Sequence, residues 1–485
     1  MTVGPTIESS PSSTDLEGAC VEQSQSTGTE EQTKQRWWSV FSTKPDHNEE
    51  QPVKDLSSDS ESDVKKQGST KFKWWDVLAE GSEAAAAFSL MKGTLGAGAL
   101  AIPYTMYCAG IIAGTILLCA MCFFTFLSVE MIVRAQDIAK KETYEDLVDL
   151  LFGKRWGWLF QIAMFLFCFG TAAAYIVTIY DIFNPVFIAA FGPDPDTWYG
   201  IMFVNRIYFS ILVTVVILLP ISLLKGIGSI RYLTMAGSIG VCFLAITAIY
   251  TLSRYGVSDT FDVHTAWTPI NAGSLMSAFS TYIFAFASQP NVPEIYVGLS
   301  NRKPAAMRRV TAVSMIVSVI VYLIVGIFFF INFGDDIASS VLISLSPMIQ
   351  SGDPMVCIAF ILMGVAIVGC FPLNIYPVRT TILHTLNPKK HRTIVGMIVA
   401  TLTVALSFAV AVALPDVNMI LGLVGAIAGS VVCFLGPAAF NLVLSKGKML
   451  VWKNWWYWVM LVVGLVSLVL GTWVSLVGVI DFYSN

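Results

Sequence analysis

The chain has 485 residues, 55% hydrophobic and only 13% charged, with a formal net charge of -4 and a mean hydropathy of +0.69. Soluble domains carry about 25% charged residues, so the composition excludes a soluble globular protein and describes an all-α integral membrane protein. The nine cysteines are scattered, mostly within apolar spans, and suggest neither a zinc site nor a disulfide framework; neither an HExxH motif nor a nucleotide-binding glycine loop occurs.

Residues 1–73 are rich in Ser, Thr, Glu, Gln and Asp and short of aliphatics, and such a segment cannot support a packed core. They are expected to form a disordered tail. Within it, Arg36-Trp37-Trp38 is echoed by Lys73-Trp74-Trp75. The second copy suits the membrane surface, where Trp and Lys are favoured. The first suits either that surface or the body of the protein.

Residues 74–485 read as the membrane domain, with eleven spans of about 20 or more apolar residues. They run 84–107, 109–133, 156–182, 205–224, 232–252, 272–298, 310–333, 354–380, 393–414, 418–441 and 455–480. The third could extend to Phe191, although Pro185 argues for a bend first. Eighteen Lys and Arg fall in one set of alternate loops, against Arg206 and Arg254 in the other. That asymmetry predicts a cytosolic N-terminus and a C-terminus on the opposite side.

The first span carries Met91 to Tyr104, MKGTLGAGALAIPY. Glycine weakens a helix and a cation at membrane depth is costly, so Gly93, Gly96, Gly98, Pro103 and Lys92 do not belong to a simple span. Backbone is irregular at that depth only where protein covers it or it lines a cavity. Close helix packing is the alternative reading of the glycines. The sixth span is interrupted in the same way by Ser288-Gln289-Pro290-Asn291-Val292-Pro293-Glu294, with Pro293 placed for the first turn of a new half-helix. Spans 1 and 6 each open a set of five and enter from opposite sides. This predicts an inverted five-plus-five repeat with broken helices 1 and 6 and a site at the midplane, span 11 lying outside the repeat.

Half-helix ends at the midplane carry free N–H groups of one polarity and free carbonyls of the other. N–H groups near Gly96 to Gly98 suit a carboxylate, and the carbonyl ends of the other halves suit an ammonium group or a metal cation. An α-amino acid carries both charges close together. The expected substrate site comprises Lys92, Gly93, Thr94, Gly96, Ala97 and Gly98 with Ser288, Gln289, Asn291 and Glu294, and Tyr175 and Phe284 as wall. Glu294 is placed either as a helix-end carboxylate or as a group selecting cationic substrates. Glu130 is expected to pair with Arg134 one turn on, and Asp181 to lie near the outer mouth of span 3, as a solvated helix end or an entrance charge. His47, His264, His384 and His391 fall in the tail or in loops, so no intramembrane histidine relay is expected. Neither a cofactor, a metal nor a nucleic-acid partner is expected.

Four stretches together resemble the amino acid/auxin permease family, on the neurotransmitter-sodium-symporter-like fold. LMKGTLGAGALAIPY is similar to its first helix, and TYEDLVDLLFG (Thr143 to Gly153) to its first cytosolic loop. FAFASQPNVPEIYVGL is similar to the broken sixth helix of the sodium-coupled neutral amino acid transporters, and FPLNIYPVRTTI (Phe371 to Ile382) to the end of their eighth. The likeness covers residues 72–480 and resembles the protozoan permeases of the family. It implies a multi-pass permease carrying cationic or neutral amino acids, in the plasma membrane, with a vacuolar or lysosomal membrane as the alternative. An amino acid sensor signalling through the tail is the competing function. Within the loop motif, the DxxxLL pattern of Asp146 to Leu151 reads as structure rather than as a sorting signal. Arg379 marks the inner end of span 8.

Lys92 departs from the sodium-coupled relatives, which carry a sodium-ligand asparagine there; KGxxGxG resembles the proton-coupled branch instead. An ammonium about 4 Å from a sodium ion repels it by about 4 kcal/mol at an effective dielectric of about 20. Sodium-independent transport is therefore expected, with the proton as candidate coupling ion if Lys92 titrates. The lysine would bridge span 1 to span 8, or its flexible stem would carry the amine to the cytosolic edge.

Overall fold

The computed structural model describes residues 81–192, 197–198, 200–223, 230–263, 266–386, 391–445 and 455–484. The tail, both Trp-Trp motifs, His47 and His264 lie outside the described residues. Every regular element among the described residues is helical. The first span is two helices, α1 (Glu83–Thr94) and α2 (Gly98–Ala109), meeting at 56°. Then come α3 (Ile111–Ala139), the short α4 (Tyr144–Phe152), α5 (Lys154–Phe191), α6 (Arg206–Leu223) and α7 (Ile230–Tyr255). The sixth span is α8 (Ala272–Ala285) and α9 (Val292–Val297), joined through a 3₁₀ turn, Gln289–Asn291. The chain continues as α10 (Pro304–Phe333), the short α11 (Val341–Gln350), α12 (Pro354–Leu386), α13 (Arg392–Ala413), α14 (Val417–Leu444) and α15 (Trp455–Ser484).

Among the described residues nine helices are long and apolar enough to cross a membrane, or ten with α1 and α2 as one span. The expected count of eleven depends on taking α8 and α9 together, because pieces of 14 and 6 residues are each shorter than a hydrocarbon core of about 30 Å.

The packing has the symmetry of an inverted repeat. The fifth span lies on the eighth (α7 on α12), and the tenth on the third (α14 on α5). The seventh lies on the first (α10 on α1), and the second on the sixth (α3 on α8 and α9). The fifth meets the seventh, as the tenth meets the second. Each contact has its counterpart five spans along. The last span, α15, packs on α14 and stands outside this exchange.

Three local readings are decided by the structure. The third span takes the longer of its two readings and continues as helix through Pro185 to Phe191. The proline's missing N–H strips a single donor, and the turn before it is held by a neighbour: Tyr180 Oη and Asn184 Nδ2 both donate to the Val204 carbonyl, at 3.0 and 3.3 Å. Glu130 pairs across helices with Arg308 of α10, while Arg134 donates to Tyr457 Oη of α15 at 2.6 Å. Tertiary partners at the bundle's basic end thus displace the one-turn pair. His384 falls in the last turn of α12, not in a loop, and that helix runs beyond Arg379.

The loop helix α4 is capped by Thr143, whose hydroxyl accepts the Asp146 N–H at 3.1 Å. Leu147, Val148 and Leu151 are buried in the core, so the acidic dileucine pattern is packed as part of the fold. At the far end Asp353 caps α12. Its Oδ1 accepts the Met355 N–H at 3.0 Å, and Oδ2 accepts from Tyr250 Oη at 3.1 Å and Tyr255 Oη at 2.9 Å, both from α7. Burial opposes the charge on this carboxyl, but the tyrosine hydroxyls and backbone N–H groups of Met355 and Val356 hold it below its ordinary value.

Candidate functional site

The run Gly93-Thr94-Leu95-Gly96-Ala97-Gly98 explains the first break, since three glycines in six residues hold a helix poorly. Helix α1 stops at Thr94, and the Leu95 N–H closes its last turn on Met91 O at 2.8 Å. The Gly96 N–H bonds to Thr94 O at 2.9 Å, so it is not one of the free donors the sequence suggested. Helix α2 begins at Gly98 with no side chain capping it. The Ala99 and Leu100 N–H groups bond to Gly96 O and Ala97 O, both at 3.1 Å, so what the first turn offers the break is the positive end of a helix dipole.

The second break follows from Pro290 and Pro293. Helix α8 ends at Ala285, and the chain turns through Ala287 N–H to Phe284 O (3.0 Å) and Ser288 N–H to Phe286 O (2.9 Å). Pro293 then sits in the first turn of α9.

The fold brings the two breaks together. A Cβ on Gly98 would lie 2.9 Å from Ala285 Cα, and one on Gly93 would lie 3.1 Å from Asn291 Nδ2 and 3.5 Å from Ser288 Cβ. A Cβ on Gly96 would meet only Tyr175 Oη, at 3.2 Å. Gly93, Gly96, Gly98, Tyr175, Ser288 and Asn291 thus share one locus. Ser288 is fully buried, and among the described residues its Oγ has no hydrogen-bond partner.

Other expected residues face elsewhere. Thr94 Oγ1 donates to Met91 O at 2.7 Å and lies 2.8 Å from Ser318 Oγ of α10, turned away from the gap. Gln289 Nε2 reaches Ser128 Oγ of α3 at 3.5 Å, and Ser128 donates to the Cys433 carbonyl of α14. Phe284 rests on Phe167, ring centres 5.6 Å apart. Ala97 is buried, Lys92 is half-buried within coulombic reach of Cys370 on α12, and Glu294 is exposed on the first turn of α9. Asp181 is 5% exposed, so it is a buried carboxyl and not a solvated helix end; Arg206 of α6 and Asp416 at the start of α14 are the charges within reach of it.

The sequence reading missed Tyr322. This fully buried side chain of α10 places its hydroxyl 2.6 Å from Thr94 O and 2.9 Å from Ala285 O. One phenol therefore ties the carbonyl ends of both broken helices. It carries one proton, so the two carbonyls share a single donor. Ser314 and Ser318 precede it at four-residue intervals, Ser314 Oγ donating to Ala87 O at 2.7 Å. Polar residues every fourth position in an otherwise apolar span were the available signal. The sequence expectation of free carbonyls here is corrected: Tyr322 occupies them.

The family model described as transmembrane amino acid transporter protein matches residues 79–477. The chain belongs to that family. It is a multi-pass membrane transporter and not an enzyme. Within the family it is similar to the sodium-coupled neutral amino acid symporter 2 of Danio rerio, 26% identical over 383 residues covering 74% of this chain and 75% of that protein. It is 23% identical over 429 residues to the sodium-coupled neutral amino acid transporter 4 of Homo sapiens, covering 74% and 77%. Among solved structures it is similar to MhsT in complex with L-phenylalanine, with a TM-score of 0.54, 16% identity, and coverage of 82% of this chain and 97% of that one. That likeness concerns the fold, and the broken first and sixth spans of this transporter are where its helices depart from simple crossing.

Proposed function

We propose that this transporter carries neutral amino acids by alternating access without sodium. The substrate carboxylate sits at the uncapped start of α2, beside Gly96. The ammonium sits on Ser288 Oγ, a buried acceptor otherwise without a partner. Tyr175 supplies an uncharged wall beside Gly96, which favours neutral over cationic side chains. Glu294 then serves as a helix-end carboxylate on α9.

Tyr322 carries the sodium argument. A cation held between the ends of α1 and α8 would need the Thr94 and Ala285 carbonyls, and the phenol already engages both. The positive charge of Lys92, two residues before Thr94, acts in the same direction. The names of the relatives support neutral substrates and weigh against sodium independence. The loop-charge asymmetry supports a cytosolic N-terminus, and composition supports residues 1–73 as a tail on that side. A role in nutrient uptake favours the plasma membrane.

Uptake of labelled amino acids into liposomes containing purified protein tests the proposal. Net accumulation of neutral amino acids, well above that of arginine and lysine, is expected. Saturable binding without uptake would replace the transporter with a sensor.

A further inference from the structure

We propose that Asp181 is the site at which a proton is taken up and released during the transport cycle. The inference rests on the transporter reading and supplies its coupling ion. Asp181 lies six residues beyond Tyr175 on α5, about 9 Å along the helix from the phenol that faces Gly96. It is 5% exposed and makes no hydrogen bond or ion pair with any described residue.

The charged groups around it are Arg206 of α6 and Asp416 at the start of α14. Neither is committed to it. The Arg206 guanidinium donates to the Pro415 carbonyl and lies 5.0 Å over the ring of Tyr180. Asp416 Oδ1 accepts the Asn418 N–H at 2.7 Å. Helix α12 packs on this turn through Gly364, against Ile182 and Phe183, and residues 360–368 carry no titratable group. The facing end of α13 and all of α11 carry none either. A cavity of about 330 Å³ between α5, α6 and α13 has Arg206 and Ser210 in its wall.

An ionised carboxylate held out of water without a donor or a counter-ion is costly, so this arrangement accommodates the neutral acid. A conformation that admits water, or brings Arg206 within ion-pair distance, accommodates the carboxylate. Passing between the two breaks the O–H bond and hands the proton to water on one side. The reverse passage takes a proton from the other side. Arg206 is the counter-charge already in place for the ionised form.

The test uses the full-length protein in liposomes enclosing a pH-sensitive dye. Neutral amino acid added outside should acidify the lumen, and an inward proton gradient should stimulate uptake. Asp181→Asn should lose both responses while counterflow against trapped unlabelled substrate stays measurable. Asp181→Glu should keep acidification with a displaced pH profile. Uptake by the wild type without acidification, or an Asp181→Asn protein that acidifies as the wild type does, would overturn the proposal alone. Should Asp181→Asn fail to fold, an unchanged pH profile in Asp181→Glu would overturn it. No uptake at all by the wild type would overturn the transporter reading and this proposal with it.

Discussion

Gly96 and Gly98 lie two residues apart, yet their surroundings give them different work. A side chain at Gly98 meets the backbone of Ala285 at 2.9 Å, which cannot yield without moving α8. A side chain at Gly96 meets only the far end of Tyr175. Gly98→Val should therefore lower thermal stability and expression, whereas Gly96→Val should express normally and lose uptake. Wild-type uptake in a well-expressed Gly96→Val protein would remove Gly96 from the site. Tyr322→Phe removes the proton that two buried carbonyls share and leaves Thr94 O with the Gly96 N–H alone, a loss of about 1–3 kcal/mol in stability. Uptake should fall by about tenfold or more, the equivalent of about 1.4 kcal/mol. Unchanged uptake and melting temperature would show that the phenol ties nothing. At this scale the sequence was legible where a residue is chemically out of place: Lys92, the glycines and Ser288 stand out in an apolar span. Tyr322 did not stand out, because its role depends on two carbonyls brought together from positions 94 and 285.

The helices were legible to within a few residues because apolar length and loop charge set them, as at α13 and α14. Breaks in α1–α2 and α8–α9 were legible from Gly and Pro. What local pattern could not supply was tertiary: the cross-helix pairing of Glu130, the burial of Asp181, and a π-helical stretch in α14, Gly425–Leu435. That stretch leaves the Val432 and Cys433 carbonyls to Tyr144 and Ser128, partners more than 280 residues away. Asp353 belongs to the same class, a cap whose tyrosine partners come from α7. Its carboxyl is held below the ordinary value of 3.8, so its contribution is present at neutral pH. It is lost as pH falls below about 4 and through the folded value. Asp353→Asn should lower the melting temperature at pH 7 by removing charge-assisted bonds to Tyr250 and Tyr255. The difference from wild type should shrink as the medium is acidified below pH 4. A difference independent of pH would assign the effect to packing instead.

For the whole molecule, two sets of five spans exchange equivalent contacts, and the broken member of each set meets the other at one locus. The seventh span joins them: α10 bonds to α1 through Ser314 and to both broken ends through Tyr322. An ion bound between those ends would have to displace the phenol and tolerate the charge of Lys92. On the proposed reading, sodium independence would separate this transporter from relatives named as sodium-coupled. The decisive measurement is initial uptake of a neutral amino acid into proteoliposomes with sodium on both sides, compared with complete replacement by choline at constant pH and membrane potential. The account predicts equal rates in the two media. A requirement for sodium would contradict it.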